Sequence, residues 1–198
     1  MNLIDFSKMA VSSKEEIREI VGFPHELIVK KSISIIDEMC KKFISASPIV
    51  FISTCNSEGK CDVSPRGDLS GCVKILNEKQ LVIPDRLGNK KQDSNLNILS
   101  NPNIGLLFIV PGVEEVLRVN GKATVIKDKE FLLKMELQGR VPLLGIGVDV
   151  EEVFIHCSRA IRESGIWNLE SWSSKDQVPT ALEIFHDHLK LNGVDVSK

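Results

Sequence analysis

The positions of apolar and polar residues divide the chain into a helical first part, a strand-rich middle and a helical end. Apolar residues recur at helical spacing over residues 12–22, after serines suited to a capping box, and again over residues 25–46. A last amphipathic pattern covers residues 179–191. These patterns predict N-terminal helices within about 12–46 and a C-terminal helix at about 179–191.

Between these helical parts the spacing changes to short apolar or alternating runs, which are typical of strands. Turn sequences such as "NSEG" and "NEK" separate neighbouring runs and predict antiparallel hairpins. Residues 90–100 have helical character, but no βαβα alternation follows, which disfavours a doubly wound parallel sheet. The pattern therefore predicts an antiparallel barrel of five to seven strands with peripheral helices. The runs cover residues 49–55, 60–66, 72–76, 81–83, 103–110, 115–126 and 147–157.

Composition places the chain among ordinary globular proteins and excludes several functional classes. Its 198 residues suit one domain over 1–198, and a net charge of -2 provides no general attraction for nucleic acid. Five cysteines without a CxxC pair disfavour a disulfide framework or a zinc site, so no metal is predicted. No secretory signal and no apolar run long enough for a membrane span are present. These features predict a cytoplasmic protein without nucleic-acid or membrane partners.

The stretch "IPDRLGNKK" carries the first candidate chemistry. Gly88 and Asn89 form a turn, and Lys90 and Lys91 precede a polar helical segment that contains Ser94 and Asn97. Helix N-terminal amides together with lysines suit a phosphate or a carboxylate. Neither the Walker motif nor G-x-G-x-x-G is present, so the stretch alone also fits a solvated surface loop.

Three arginine-bearing segments are less specific. Arg66 ends a hairpin strand in "DVSPRGD", where an exposed turn arginine is the simplest interpretation. Arg118 lies within the apolar strand "LRVNGKA", and such an arginine either faces solvent or pairs with an anion. Trp167 follows two arginines in "SRAIRESGIW", which suits a planar anionic ligand or ordinary helix packing.

Taken in order, these motifs resemble a known family. "FISTCNSEGKCDVSPRGD", "LVIPDRLGNKKQDSNLNILSNPNIGLLFIVPG", "LRVNGKA" and "VFIHCSRAIRESGIW" together are similar to the pyridoxamine 5'-phosphate oxidase-like, FMN-binding split-barrel proteins. The resemblance covers roughly residues 30–170. It implies a mainly β protein with peripheral helices (α+β), a six-stranded antiparallel split β-barrel, and a homodimer with FMN at the subunit interface.

The resemblance also assigns roles to residues. The strand matching residues 63–68 is expected along the isoalloxazine ring, and the segment matching 84–91 is expected to hold the phosphate with help from residues 94–97. The strand matching 116–118 is expected to reach the flavin held mainly by the partner subunit. The predicted cofactor-binding residues are Ser64, Arg66, Pro84, Asp85, Arg86, Asn89, Lys90, Lys91, Ser94, Asn97, Arg118 and Trp167.

The chain departs from true pyridoxamine-phosphate oxidases at the substrate end. The family's R-x-x-x-L-K run is replaced by "SPRGDLSG", and the C-terminal segment contains no recognisable substrate-phosphate clamp. The prediction is therefore an FMN-dependent oxidoreductase that passes electrons to an unidentified small-molecule acceptor, with no catalytic residue assigned. The alternatives are a non-catalytic flavin-binding or sensing protein, and a split barrel that binds haem or a deazaflavin.

Overall fold

The structure is a computed structural model that describes residues 3–68, 72–86 and 88–195. The chain divides into two compact units, Met1–His156 and Cys157–Lys198, and the single-domain expectation stays a prediction. The first unit contains the helices α1 Lys14–Val21, α2 Glu26–Lys30, α3 Glu38–Ala46, α4 Asp93–Ser100 and α5 Lys129–Leu133, and a 3-10 helix at Phe6–Met9. Its strands are β1 Ile49–Cys55, β2 Cys61–Gly67, β3 Lys74–Asn77, β4 Gln80–Asp85, β5 Asn103–Ile109, β6 Val116–Ile126 and β7 Leu144–His156.

The strands form one mixed-length antiparallel sheet in the order β2-β1-β5-β6-β7-β4-β3. The α+β class and the antiparallel arrangement are confirmed, but the six-stranded prediction is wrong because the sheet has seven strands. Both arms of the hairpin over residues 74–85 form strands, as the apolar pattern of the chain indicates. The sheet is not closed, since β2 and β3 are its two ends in the described part of the chain.

Alternation along the strands places one face of the sheet in a continuous core. Val50 and Ile52 of β1, Leu106 and Phe108 of β5 and Val119 of β6 are almost fully buried there. Burial of such side chains is the main favourable contribution to folding. Because neighbouring residues of a strand point to opposite faces, the positions between these core residues lie on the outer face.

The predicted helix over residues 25–46 is interrupted in the structure. Ile33 forms a two-way backbone pair with Val153, with N···O distances of 2.9 and 2.7 Å, so residues 31–37 leave the helical path. Asp37 then caps α3 by accepting a hydrogen bond from the Cys40 backbone N–H at 2.8 Å. A tertiary contact with the sheet therefore overrides the local helical periodicity.

Gly121 forms a β-bulge between β6 and β7, a common role for an isolated glycine within a strand. The register between β6 and β7 shifts between Asn120 and Gly121. A Cβ atom on Gly121 would lie 2.1 Å from the backbone oxygen of Asp149, so only glycine fits this close approach.

The second unit contains α6 Arg159–Ser164, two 3-10 helices and α7 Ala181–Leu191. Thr180 caps α7 with a complete capping box that includes Glu183. The C-terminal helix therefore lies close to its predicted bounds. Across the described residues, no helix combines the length and the apolar character that crossing a bilayer requires.

Candidate functional site

A cavity of about 320 Å³ lies where the ends of β2 and β4 meet the turn before α4. We call it the charged pocket. It brings together nine of the twelve predicted cofactor residues: Ser64, Arg66, Pro84, Asp85, Arg86, Asn89, Lys90, Lys91 and Ser94. The remaining lining residues are Asp62, Pro65, Gly67, Asp68, Cys72, Gly88, Gln92 and Asp93.

Strand β2 supplies one wall of the charged pocket through every second residue. Asp62, Ser64 and Arg66 are half-buried on this face, and the residues between them are exposed. The Arg66 guanidinium donates to the Ser64 hydroxyl and, at 3.0 Å, to the Pro65 carbonyl oxygen. Arg66 forms no ion pair within residues 3–68, 72–86 and 88–195, so most of its hydrogen-bonding capacity is unused.

Helix α4 begins three residues later than the sequence pattern predicts, at Asp93 and not at residue 90. Lys90 and Gln92 have φ angles of 63° and 62°, which a right-handed helix does not allow, so α4 begins at Asp93. Both lysines therefore precede the helix. The side chain of Gln92 makes no capping hydrogen bond, and the first intrahelical bond is donated by Leu96 N–H. The first backbone N–H groups of α4 therefore have no intrahelical partner, and Asp93 and Ser94 of this first turn line the pocket.

The two lysines have different surroundings. Lys91 Nζ lies 2.7 Å from an Asp93 carboxylate oxygen, and this hydrogen bond raises the pKa of Lys91. Lys90 lines the pocket and forms no ion pair with any described residue. Lys90 is therefore the lysine whose charge is available to a ligand.

Two of the pocket carboxylates accept hydrogen bonds from uncharged side chains. Asp62 accepts a hydrogen bond of 2.8 Å from the Ser94 hydroxyl. Asp85 accepts from the Gln92 amide at 3.0 Å and from the Asn95 amide at 3.5 Å. These contacts connect β2 and β4 to the first turn of α4 and fix the shape of the pocket.

Arg86 is held between a carboxylate and a backbone carbonyl. Its guanidinium lies 3.3 Å from Asp68 and donates to the Met135 carbonyl oxygen at 2.9 Å. Its Nε is buried and has no hydrogen-bond partner in the described structure. A buried donor without an acceptor costs free energy, so this N–H suits a ligand oxygen or an ordered water.

The pocket has equal numbers of negative and positive side chains, but only some of them form ion pairs with each other. Four carboxylates and four cationic side chains line it. Two ion pairs, Arg86 with Asp68 and Lys91 with Asp93, use two charges of each sign. The unpaired cations are Arg66 and Lys90, and this pair gives the pocket its capacity for an anion.

The thiol in the pocket does not suit nucleophilic chemistry. Cys72 is buried, and its thiol donates weakly to the Ser47 carbonyl oxygen at 3.8 Å. Burial raises the pKa of Cys72, and the Asp68 charge acts in the same direction. A thiol held in its protonated form is a poor nucleophile and a poor metal ligand.

Arg118 lies away from the charged pocket, in a second cavity. This cavity, which we call the apolar groove, has a volume of about 380 Å³ and is lined by Phe51, Ser53, Val63, Gly105, Leu106, Leu107, Arg118 and Asn120. The Arg118 guanidinium lies 5.4 Å from the centre of the Phe154 ring, which is cation–π geometry. The sequence analysis considered only a solvent-facing or an anion-paired Arg118, and the structure shows a third environment, contact with an aromatic ring.

Two further predicted residues are not part of the charged-pocket lining. Asn97 donates to the Thr54 hydroxyl at 3.1 Å and so attaches α4 to β1. Trp167 lies in the second unit, in the turn after α6, and its role at a cofactor stays a prediction.

Sequence reasoning missed Asp62, Asp68, Gln92 and Asp93 as pocket residues. Asp62 lies two positions before Ser64, so strand alternation alone could have placed it on the same face. Asp68, Gln92 and Asp93 lie in or beside turns, where the backbone geometry of the turn sets the side-chain direction. The spacing of apolar and polar residues does not indicate that direction.

Comparison with known proteins identifies the family. The family model described as pyridoxamine 5'-phosphate oxidase matches residues 36–157. No curated protein matches this chain. The chain is similar to the crystal structure of HupZ from Group A Streptococcus, with 16% identity, a TM-score of 0.49, and coverage of 61% of this chain and 99% of that one.

Two other solved structures are similar at comparable levels. One is a putative pyridoxamine 5'-phosphate oxidase from Lactobacillus delbrueckii, with 20% identity, a TM-score of 0.47, and coverage of 62% and 95%. The other is an F420 reductase, with 17% identity, a TM-score of 0.41, and coverage of 59% and 94%. Since the family model matches more than half of its residues, the chain belongs to the pyridoxamine 5'-phosphate oxidase family.

Proposed function

We propose that the chain binds FMN, with the phosphate in the charged pocket, and acts as an oxidoreductase toward a small-molecule acceptor. The observation that carries this proposal is that Arg66, Lys90 and the first turn of α4 line one cavity. A phosphate group is the ligand that such a combination of cations and helix amides recognises best.

The donors of the pocket fit the phosphate of FMN. That group carries about two negative charges near neutral pH, and Arg66 and Lys90 would contact it directly. The buried Nε of Arg86 supplies a donor that the described residues leave unused. Asp62 and Asp85 already accept hydrogen bonds from neutral donors, which reduces their demand on the cations.

The flavin ring would lie beside the pocket, along β2, and would complete its site in a homodimer. The apolar groove on the other side of β2 contains Phe51, Val63 and Arg118. We propose that this groove faces the partner subunit, where Arg118 would approach the flavin held by that subunit. Val63 is exposed in the groove and Phe51 and Leu107 are half-buried, which supports this placement because accessible apolar surface is typical of interfaces.

The chemistry of the reaction would come from the cofactor. FMN, when bound, accepts and donates electrons, and the protein supplies binding, orientation and electrostatics. In this chain, Arg66 and Lys90 would fix the phosphate, and Asp85 with Gln92 would keep the turn before α4 in place. We assign no proton-transfer residue, and we keep the cytoplasmic location as a proposal that the five free thiols support.

Binding is tested by titrating the purified protein with FMN and with riboflavin, which lacks the phosphate. The proposal predicts flavin absorbance in the loaded protein and tighter binding of FMN than of riboflavin. Replacing Lys90 and Lys91 together with alanine should weaken FMN binding more than replacing Lys41 and Lys42. Equal affinities in the two double variants, or no uptake of FMN, would reject the phosphate assignment.

Turnover separates the enzyme from a protein that only holds or senses flavin. An oxidoreductase should let NADH or NADPH reduce the bound FMN and should then pass the electrons to an acceptor. Bound FMN that no nicotinamide donor reduces would favour the non-catalytic alternative. Displacement of FMN by haem or by a deazaflavin at lower concentration would instead favour the third candidate.

A further inference from the structure

Two cysteines face each other across the hairpin that joins β1 and β2. Cys55 is the last residue of β1 and Cys61 is the first residue of β2, and they are directly paired in the register. Directly opposed residues of an antiparallel pair project to the same face. The sequence alone, with five cysteines and no CxxC motif, did not indicate this pair.

Cross-strand pairs in an antiparallel hairpin are either hydrogen-bonded or non-hydrogen-bonded, and the Cα atoms are closer in the second kind. The hydrogen-bond pattern assigns Cys55 and Cys61 to the second kind. The neighbouring pair is hydrogen-bonded, because Asn56 N–H donates to the Lys60 carbonyl oxygen at 3.0 Å. Since the two kinds alternate, Cys55 and Cys61 form a non-hydrogen-bonded pair, in which Cα atoms are about 4.5 Å apart. That separation lies within the range of Cα distances that a disulfide spans, about 4.4–6.8 Å.

The two thiols share one solvent-accessible cavity. A cavity of about 330 Å³ is lined by both cysteines and by Asn103, Asn120 and Glu151. Cys61 is exposed and Cys55 is half-buried, so a small reagent reaches Cys61 first. The Cys55 thiol donates to the Asn56 carbonyl oxygen at 3.3 Å, and the Cys61 thiol donates to the Gly59 carbonyl oxygen at 3.7 Å. Burial raises the pKa of Cys55, and the neighbouring Cys61 thiol acts in the same direction.

We propose that Cys55 and Cys61 are a site of reversible disulfide formation, oxidised by a small-molecule disulfide. The Cys61 thiolate attacks one sulfur of that molecule, forms a mixed disulfide and releases one thiol. The Cys55 thiolate then attacks the Cys61 sulfur and releases the second thiol. Overall, the two protein thiols lose two protons and two electrons, and the small disulfide is reduced to two thiols.

The link would restrain the strand that carries the pocket residues. Cys61 directly precedes Asp62, which accepts a hydrogen bond from Ser94 at the start of α4. The turn of the same hairpin also contacts the end of α4, because Ser57 N–H donates to the Ser100 hydroxyl at 3.3 Å. The disulfide proposal itself uses only the hairpin geometry and stands apart from flavin binding.

Peptide mapping tests the proposal on the full chain. The native protein is treated with oxidised glutathione, remaining thiols are alkylated, and the protein is digested with trypsin without reduction. Cleavage after Lys60 separates the two cysteines onto peptides 43–60 and 61–66. We expect these peptides to be recovered mainly as one linked species, lighter by two hydrogen atoms than their sum, and expect dithiothreitol to separate them.

Matched variants distinguish this pair from general thiol reactivity. The Cys157→Ser variant, which removes another exposed thiol, should retain the linked peptides, and Cys61→Ser should lose them. Three results would overturn the proposal in the unmodified chain. They are a stable glutathione adduct on Cys61 beside an alkylated Cys55, a link between two chains, and two cysteines that both remain thiols.

Discussion

The two faces of strand β2 differ in their contacts within a single chain: one has hydrogen-bond partners, and the other leaves apolar surface exposed. On one face, Asp62, Ser64 and Arg66 line the charged pocket, and both Asp62 and Ser64 already have partners within the chain. On the other face, Val63 lines the apolar groove with 64% of its surface exposed. Alternate residues of one short strand thus contribute to two surfaces of opposite character.

This difference indicates what each face requires. The charged pocket has two cations without an ion pair among the described residues, Arg66 and Lys90, and these suit a small anion. The apolar groove combines apolar side chains with the polar Ser53, Arg118 and Asn120, and burial of its apolar part against another protein surface would stabilise it. The proposed arrangement, a cofactor held at a subunit interface, would use both surfaces of this strand.

The largest expected effect comes from placing a charge in the apolar groove. Val63→Asp should convert the proposed homodimer to monomer at concentrations where the unmodified chain is dimeric. Burial of an unpaired carboxylate at an interface costs about 3–5 kcal/mol, which weakens association more than a hundredfold. Light scattering coupled to size-exclusion chromatography measures the mass.

The control for this prediction is Val63→Thr, which preserves the branched shape and adds no charge. It should remain dimeric, and both variants should melt close to the unmodified chain because residue 63 is exposed. A dimer of unchanged stability in Val63→Asp would show that the apolar groove is not the interface.

A smaller effect is expected on the pocket face of the same strand. Arg66→Ala should weaken FMN binding about 10- to 150-fold, because a hydrogen bond to a charged group contributes about 1.5–3 kcal/mol. Arg66→Lys should recover part of the loss, since a lysine restores the charge without the planar fork. Isothermal titration with FMN measures both variants, and an unchanged dissociation constant in Arg66→Ala would remove this residue from the site.

The smallest expected effect has the opposite sign. Asp62→Asn should strengthen FMN binding about two- to fivefold, because it removes a negative charge beside the phosphate, worth about 0.5–1 kcal/mol in a solvated pocket. The asparagine oxygen can still accept the hydrogen bond from Ser94, so the pocket geometry should persist. Added salt should reduce the gain, and weaker FMN binding in Asp62→Asn would contradict this account of the charges.

Much of the fold follows from periodicity in the sequence. All seven apolar runs became strands. The broken helix at residues 31–37 was not predictable from local spacing, because its cause is the pairing of Ile33 with a distant strand. Strand number failed for another reason, since the six-stranded expectation came from the family resemblance and the chain's own pattern allowed seven.

The candidate site was predictable in its members and less so in its details. The order of motifs selected twelve cofactor residues, of which nine line one cavity, and their role at a cofactor stays a prediction. The different surroundings of Lys90 and Lys91 depend on the positive φ angles at residues 90 and 92, which the sequence does not indicate for lysine and glutamine. Position on a strand also could not assign Arg118 to the groove, since either face was compatible with its sequence.

The most direct test of the central claim compares FMN with riboflavin in three proteins: the unmodified chain, Lys90→Ala and Lys91→Ala. The claim is that the charged pocket binds the cofactor through its phosphate, with Lys90 as the available cation. Riboflavin has the same ring as FMN and lacks the phosphate. Its affinity therefore measures all contributions to binding except that of the phosphate.

We predict that Lys90→Ala weakens FMN binding at least tenfold and leaves riboflavin binding unchanged, because it removes a charge-assisted contact to the phosphate alone. Lys91→Ala should change FMN binding by less than about threefold, since Lys91 is already paired with Asp93 and exposed. Equal losses for FMN and riboflavin in Lys90→Ala, or equal affinity of the unmodified chain for both ligands, would contradict the assignment of this pocket to the phosphate.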